Sequence, residues 1–544
     1  MRSSKTQTTT IDHQLVLPDG IVLISRFWLP AGPGPWPTLL MRQPYGRAIA
    51  STVTAVHPQW WARQGFLVVV QDVRGQGGSG GVFKGFSQEA KDTGATLEWL
   101  RSRPECNGRI GLYGFSYQGF TQLVAAPGTS PPDCLAPAMT GLHERDHWSC
   151  EGGAHWWHLS LGWGLQLAAQ QARRRGDSSA WEEIRRCLEE QRYCRDGLAL
   201  LRRHDPHSMV LNWLEQDPEE SSAWVCHEPA DDWFRQPMLL IGGWWDPHLR
   251  GILDLHQRSL AAGGQPETHV GPATHLNWWP EAQQLQLTFF RRHLCRDSPP
   301  SSDPIHTPAG SGVMVWDQRL ETWTSTDPHF SDDQRWVLSG TPLACFDPES
   351  GRLSPFNGCS GPEQSIDEVV IVHDPWRPAP AVGGHLSPSP GPCNRAAVDA
   401  RSDVATFTSD VLSEALLLRG IPCLALSAHA DQPGFDLCVA LSVCRSATNT
   451  VQQLSTGVLR ILGDHALESI GRQVRLQALE AHLQAGDRLR LSIAAACWPA
   501  IAINAGDPDI PPGPPISACR VTTLHLSMQQ AVLGFEPLIT APDP

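Results

Sequence analysis

The sequence of 544 residues has only 4 tyrosines against 22 tryptophans, and it lacks any uninterrupted apolar run of the roughly 18 residues that would suggest a membrane span. No Lys/Arg run is present either, and 42 basic residues are outnumbered by 56 acidic ones, for a formal charge of -14. A surface that tracks phosphates needs clustered positive charge, so neither nucleic acid nor a membrane is predicted as a partner. Charged residues are few, at 18%, against 41% hydrophobic, which excludes wholesale disorder and predicts globular cores. The 15 cysteines are odd in number, irregularly spaced and without a C-x-x-C repeat, so neither a disulfide framework nor a zinc ribbon is indicated. Residues 1–11 are polar and lack the apolar core of a secretory signal, and with reduced thiols this predicts a cytoplasmic protein.

What is present is a chain punctuated by 48 glycines and 46 prolines, long enough for about two to four domains. Apolar runs at 15–17 and 21–29 flank Pro18-Asp19-Gly20 and read as a hairpin. Short apolar runs at 38–41, 66–70 and 109–113 then alternate with helical stretches near 88–102 and from Tyr117. The pattern resumes at 238–241, 249–262, 268–270 and 280–294, and such alternation predicts an α/β fold with a parallel sheet covered by helices. Between the two stretches, residues 141–233 are rich in Arg, Glu, Gln and Trp with helical periodicity, which predicts a helical insertion. Residues 298–311 have the Pro/Ser/Asp composition of a linker, and from 312 onward short β-like runs separated by turn residues predict an all-β sandwich or jelly roll.

The sharpest local signal is G-F-S-Y-Q-G at 114–119, a strand running into a tight turn and then a helix. A serine on such a turn has its hydroxyl pushed out above the sheet, so Ser116 is the candidate nucleophile, although the usual elbow has glycine where this chain has Gln118. A serine needs a base, and the base an acid to fix its tautomer. Asp246 ends one later strand-like run and His275 follows another, in the order acid then histidine that an α/β-hydrolase requires. Alone, Asp246 reads equally well as a helix cap and His275 as one of 22 histidines; the joint order carries the argument.

Six strings, Q-P-Y-G-R at 43–47, D-V-R-G-Q-G-G-S-G-G at 72–81, G-F-S-Y-Q-G at 114–119, G-G-W-W-D at 242–246, G-P-A-T-H at 271–275 and G-F-D at 434–436, span most of the chain. On them it resembles the serine hydrolase family that includes cocaine esterase, the α-amino-acid ester hydrolases and the Xaa-Pro dipeptidyl-peptidases. The resemblance implies an α/β-hydrolase catalytic domain (1–140 and 234–297), a helical cap (141–233) and a C-terminal β jelly roll (312–544). It implies a triad of Ser116, Asp246 and His275, with the Tyr45 hydroxyl and the Tyr117 N–H holding the oxyanion. The implied activity is that of an esterase or acylase of the cocaine esterase type, with Xaa-Pro dipeptidyl-peptidase or amino-acid ester hydrolase specificity as the alternative. Its substrate would be a small ester, amide or short peptide, with no cofactor and no metal, and homo-oligomerisation is left open. Trp245 stands where the family commonly has tyrosine or phenylalanine, and Ala273-Thr274 where Trp-Ser is frequent, so pocket shape is expected to differ.

A competing motif is H-E-R-D-H at 143–147, the pattern in which two histidines one turn apart bind zinc and the glutamate, Glu144, serves as base. A third ligand is not obvious: the metzincin extension would need glycine at 150 and histidine at 153, where Cys150 and Gly153 stand, leaving Glu182 or Glu183 as distant substitutes. A chance match in a histidine-rich chain is the better explanation. Glu144, Asp146 and Glu151, with Trp148, Trp156, Trp157 and Trp163, form a candidate pocket wall, acids for a substrate ammonium and indoles for an acyl group. Solvated acids and packed indoles are the plainer alternative. His248 and Trp245 flank Asp246 and are pocket candidates too, Asp72 and Arg74 are a candidate pair beside the site, and a non-catalytic binding protein is a further reading.

Overall fold

The computed structural model describes residues 8–49, 56–295, 312–317, 321–327, 334–347, 349–356 and 368–539. The predicted linker at 298–311 lies outside the described residues. Strands β1 (Thr9–Val16) and β2 (Val22–Leu29) pair antiparallel across Pro18-Asp19-Gly20, where Gly20 takes φ 82°, a turn conformation that costs a glycine little. Strands β3 (Trp36–Gln43), β4 (Leu67–Asp72), β5 (Cys106–Phe115) and β6 (Cys134–Ala138) follow, linked by helices α1 (Pro58–Arg63), α2 (Glu89–Arg101) and α3 (Tyr117–Leu123). The chain leaves the sheet for a segment that contains the two-residue strands β7 (Cys150–Glu151) and β8 (Ala154–His155). Its helices are α4 (Trp157–Arg175), α5 (Ser178–Glu189), α6 (Tyr193–His204), α7 (Met209–Glu215) and α8 (Asp231–Phe234). It returns as β9 (Leu239–Trp245), α9 (Leu249–Ala261), β10 (Glu267–Thr274) and α10 (Ala282–Leu294).

The strands order as β1-β2-β4-β3-β5-β6-β9-β10, continued by β11 (Val313–Asp317) and β12 (Thr322–Thr326), with β4 through β11 parallel. β4 reads L-V-V-V-Q-D and is buried throughout, as a central parallel strand covered on both faces must be. Side chains alternate between two cores: Leu40, Leu67 and Val69 join α2, α3 and the inserted helices, while Leu39, Val68 and Val70 pack with Trp61 of α1 and Phe290 of α10. This is an α/β-hydrolase-like domain. One boundary is corrected: residues from 312 were expected in the C-terminal unit, but β11 pairs parallel with β10, and its apolar Val313, Met314 and Val315 bury against the first sheet.

Among the described residues, the chain beyond β12 is β-rich, an eleven-stranded sheet system running from Trp336–Ser339 to Thr522–Glu536 around a separate core that includes Phe407, Leu424, Leu437, Leu491 and Leu526. It also braces the site. Gln477 Nε2 donates to the backbone oxygen of Asp246 (2.8 Å), Trp157 N donates to Ala500 O (2.8 Å) and Arg460 N donates to Gly152 O (2.7 Å). Among the described residues, no helix is long and apolar enough to cross a membrane.

Candidate active site

Ser116 stands between the end of β5 and the start of α3 with φ 58° and ψ −128°, a backbone region that a non-glycine residue occupies only at a cost of about 1–3 kcal/mol. The turn is tight on both sides. A Cβ at Gly114 would lie 2.4 Å from Gln118 Cβ, and one at Gly119 would lie 2.9 Å from Ala138 O, so glycine is required where strand and helix close on each other. Gln118 stands where the usual elbow has glycine, and its amide instead donates to Gln43 Oε1 at 3.2 Å, tying α3 to the end of β3. Tyr117 points down, its hydroxyl donating to Glu89 Oε1 at 2.8 Å, and Glu89 also meets Arg42 Nη2 at 3.0 Å. Burial raises the Glu89 carboxyl above its ordinary range, against the opposing pull of Arg42. The Tyr117 backbone N–H opens the first turn of α3, where amides have no acceptor within the helix.

Asp246 follows β9 and is fully buried. Its Oδ2 accepts from His248 N at 3.0 Å, and its Oδ1 lies 2.6 Å from His275 Nδ1. Because the carboxylate can only accept, His275 carries its proton on Nδ1, which leaves Nε2 with a free lone pair. His275 comes just after β10 and rests its ring 5.4 Å from Phe115, the neighbour of Ser116. Tyr45, just beyond β3, has its hydroxyl oxygen in contact with Trp163 Nε1, which donates to it at 3.1 Å. Burial pushes the Tyr45 phenol up to about 12, so it stays protonated at neutral pH. A hydroxyl on a strained elbow, an oriented imidazole and a protonated phenol form the set that acyl transfer uses.

Around this set the structure gathers four of the candidate pocket residues. Trp148 lies 4.5 Å from His248 and stacks on Trp163 at 6.0 Å; Trp156 lies 5.7 Å from His248, and His248 lies 4.9 Å from His275, all between ring centroids. His248 Nδ1 donates to His147 O at 2.6 Å, and burial holds the ring down to about 4, so it is neutral. The other two are elsewhere. Trp157 packs inside the inserted helices with Nε1 on Cys194 O, since its position on α4 faces α6; Trp245 packs in a cluster with Trp244, Leu249 and Val313.

Residues 19–277 match the family described as X-Pro dipeptidyl-peptidase (S15 family), and residues 264–526 match the X-Pro dipeptidyl-peptidase C-terminal non-catalytic domain. Together the two matches run from 19 to 526, and on them the chain is a serine hydrolase related to the S15 family. Cocaine esterase of Rhodococcus sp. (strain MB1 Bresler) is 26% identical over 442 residues, covering 74% of each chain. Three solved structures share the fold at low identity. An aminopeptidase from a marine sediment archaeon, Thaumarchaeota archaeon, superposes with TM-score 0.71 at 18% identity over 97% of this chain and 96% of that one. An α-amino acid ester hydrolase gives 0.66 at 18% over 99% and 98%, and a CocE/NonD family hydrolase from Staphylococcus aureus gives 0.68 at 15% over 97% and 94%.

In this hydrolase the H-E-R-D-H segment has other work. Residues Arg145–Ser149 form a single π-helical turn, His147 Nδ1 accepts from Leu142 N and His143 N (3.2 and 3.1 Å), and Glu144 accepts from Trp213 Nε1 (2.7 Å) and holds His227 Nε2 (2.8 Å). Among the described residues, none of the groupings with metal-ligating geometry includes His143, Glu144 or His147. Glu182 meets Arg185, and Glu183 meets Arg203 and His204, so neither approaches that segment as a ligand. Asp146 meets Arg145 and Arg250, and Glu151 meets His385 Nε2 at 2.6 Å. Asp72 does not pair with Arg74: it binds Arg47 Nη1 at 2.7 Å, while Arg74 turns outward to Asp92 and Asp19. A cavity of about 350 Å³ lined by Asp146, Glu151, Trp156, Arg250, Arg475 and Gln477 lies behind Asp246, and neither Ser116 nor His275 is among its lining residues.

The sequence reading missed two supports of this arrangement. Glu89 looks like an ordinary first-turn acid of α2, and nothing in the text marks its burial under Tyr117. The Trp163 contact with Tyr45 joins residues 118 apart, which no local pattern encodes.

Proposed function

We propose that the protein hydrolyses carboxylic ester or amide bonds through an acyl-enzyme formed on Ser116. His275 Nε2 takes the proton as Ser116 Oγ attacks the carbonyl carbon, then gives it to the departing alcohol or amine as the carbon–heteroatom bond breaks. Water attacks the acyl-enzyme by the same route, releasing the acid and restoring Ser116. Asp246 keeps the proton of His275 on Nδ1 and stabilises the imidazolium. The Tyr45 O–H and the Tyr117 N–H donate to the oxyanion; the Trp163 N–H already occupies one side of the Tyr45 oxygen, which leaves the phenol proton for the substrate. The observation that carries this reading is the 2.6 Å contact of His275 Nδ1 with buried Asp246, beside a serine on a positive-φ turn. The same reading assigns catalysis to 1–140 and 234–297, a cap to 141–233, and a β unit that begins after β12.

Small esters or acyl amides with a neutral acyl group, the cocaine esterase type, fit a site walled by Trp148, Trp156 and Trp163. A second reading, an amino-acid ester hydrolase or X-Pro dipeptidyl-peptidase, is favoured by one observation: Glu151 Oε1 is buried with no hydrogen-bond partner in the cavity that Trp156 also lines, and Trp156 in turn stands 5.7 Å from His248, so this acid is the candidate acceptor for a substrate ammonium reaching past that indole. A panel of nitrophenyl butyrate, an α-amino-acid nitrophenyl ester and Ala-Pro-anilide tests both. The first reading expects a burst of nitrophenol matching the enzyme concentration with the butyrate. A preference for the free-amine substrates, lost in Glu151→Gln, supports the second; no turnover of any of them by the folded protein contradicts both.

A further inference from the structure

We propose that Glu368, His429 and His525 bind a single divalent transition-metal ion of the zinc, nickel and copper class on the outer face of the C-terminal sheet. The site is far from the triad in sequence and independent of its assignment. Three neighbouring strands supply it, because Thr522–Glu536 pairs antiparallel with both Glu368–His373 and Leu416–Ala430. His429 stands directly opposite His525, and Glu368 stands opposite Ser527, one diagonal step away on the other side. Side chains alternate across a strand, and the flanking Ala428, Ala430, Leu524, Leu526, Val369 and Ile371 are all buried inward, so the three candidate ligands face out together.

The three side chains are close enough to converge on one ion. The two imidazoles stack 4.8 Å apart at 13°, Glu368 Oε2 lies 3.2 Å from His525 Nδ1, and one ligand atom from each of the three residues lies within 4.8 Å of the others. Zinc–nitrogen and zinc–oxygen bonds of about 2.0–2.2 Å make a tetrahedron whose edges are roughly 3.3 Å, so the Glu368–His525 edge already has the required length. All three side chains are partly exposed, which leaves them free to turn the remaining distance. Two imidazoles and one carboxylate select borderline cations over calcium or magnesium, which prefer oxygen ligands, and leave a fourth position to water. The alternatives carry less. Asp246, His248 and His275 belong to the active site, and in the group of Asp317, Glu480 and His482 the Glu480 carboxylate is taken by Arg419 at 2.7 Å.

Calorimetric titration of the chelator-stripped full-length protein with zinc, nickel, copper and manganese chlorides, paired with thermal unfolding, tests the site. The expected result is a saturable event of one ion per chain, an unfolding temperature raised by either metal, and affinity ordered with copper above nickel and zinc and these above manganese. His429→Ala and His525→Ala should each weaken binding at least tenfold, Glu368→Gln less, and the double histidine variant should lose both this event and the thermal shift while retaining its circular dichroism and ester hydrolysis. Glutamine at both histidine positions replaces the alanine pair if that pair does not fold. A folded double variant that binds metal with unchanged stoichiometry and affinity overturns the proposal, as does wild-type protein that shows no such event.

Discussion

Two short segments of this hydrolase carry equally legible motifs and end in opposite states. At 114–119 the backbone is strained to hold Ser116 above the sheet, with Gly114 and Gly119 making the close approaches and no structural partner claiming the serine side chain among the contacts described. At 143–147 the letters of a zinc site are complete, yet His147 Nδ1 is consumed by two backbone amides and Glu144 by Trp213 and His227. The difference lies in whether lone pairs and protons remain available. A motif marks chemistry when the fold leaves its polar atoms unspent, and strain at the elbow is a sign that the fold bears a cost to do so.

The sharpest way to break this contrast is to remove one key side chain from each segment. Ser116→Ala should lower kcat by about 10⁴–10⁶, and Glu144→Gln should leave turnover near wild type, indifferent to chelator, while lowering the unfolding temperature. Chelator-sensitive turnover that vanishes in folded Glu144→Gln would reverse the roles of the two segments. Next in size is the phenol: Tyr45→Phe should cost about 10²–10³ in kcat. Trp163→Phe should cost less and mainly in kcat, with little further loss when added to Tyr45→Phe; equal costs in both backgrounds would make the indole a mere pocket wall. Below the elbow, Glu89→Ala removes one partner of a buried ion pair and should destabilise by about 3–5 kcal/mol in denaturant unfolding, since it strands Arg42.

A separate test lies in pH-dependent stability. His155, His158 and His248 are buried and held down to about 3, 4 and 4. The unfolded chain binds those protons near 6.5 and the folded one does not, so their contribution is flat above about pH 6.5 and stability falls as pH drops from there towards 4, by about 1.4 kcal/mol per unit for each. Urea midpoints across pH 7 to 5 measure it, and a midpoint unchanged over that window would mean these rings are protonated in the fold.

Much of the fold was legible because its signals are local. The alternation of β4-like apolar runs with helices, the helices between β6 and β9 and the turn-rich strands of the C-terminal part each follow from periodicity within a dozen positions. The strand-end positions of Ser116, Asp246 and His275 were legible too, since each follows an apolar run. The attachment of β11 to β10 was not, because a strand of V-M-V-W-D suits either sheet and the choice is made by contacts across the chain. Asp72 pairing with Arg47 rather than Arg74 has the same cause: in the folded chain the loop after β3 reaches it more closely than its sequence neighbour does. Of the indoles, identical in the text, burial against α6 or the β11 side separated Trp157 and Trp245 from Trp148, Trp156 and Trp163.

The central claim is that the elbow serine is chemically activated. Reaction of the purified protein with a fluorophosphonate, followed by peptide mapping, tests it most directly. The account expects a stoichiometric adduct on Ser116, slowed strongly by His275→Ala and unaffected by chelator. A folded, unlabelled wild-type protein, or an adduct on another serine that persists in Ser116→Ala, would contradict it.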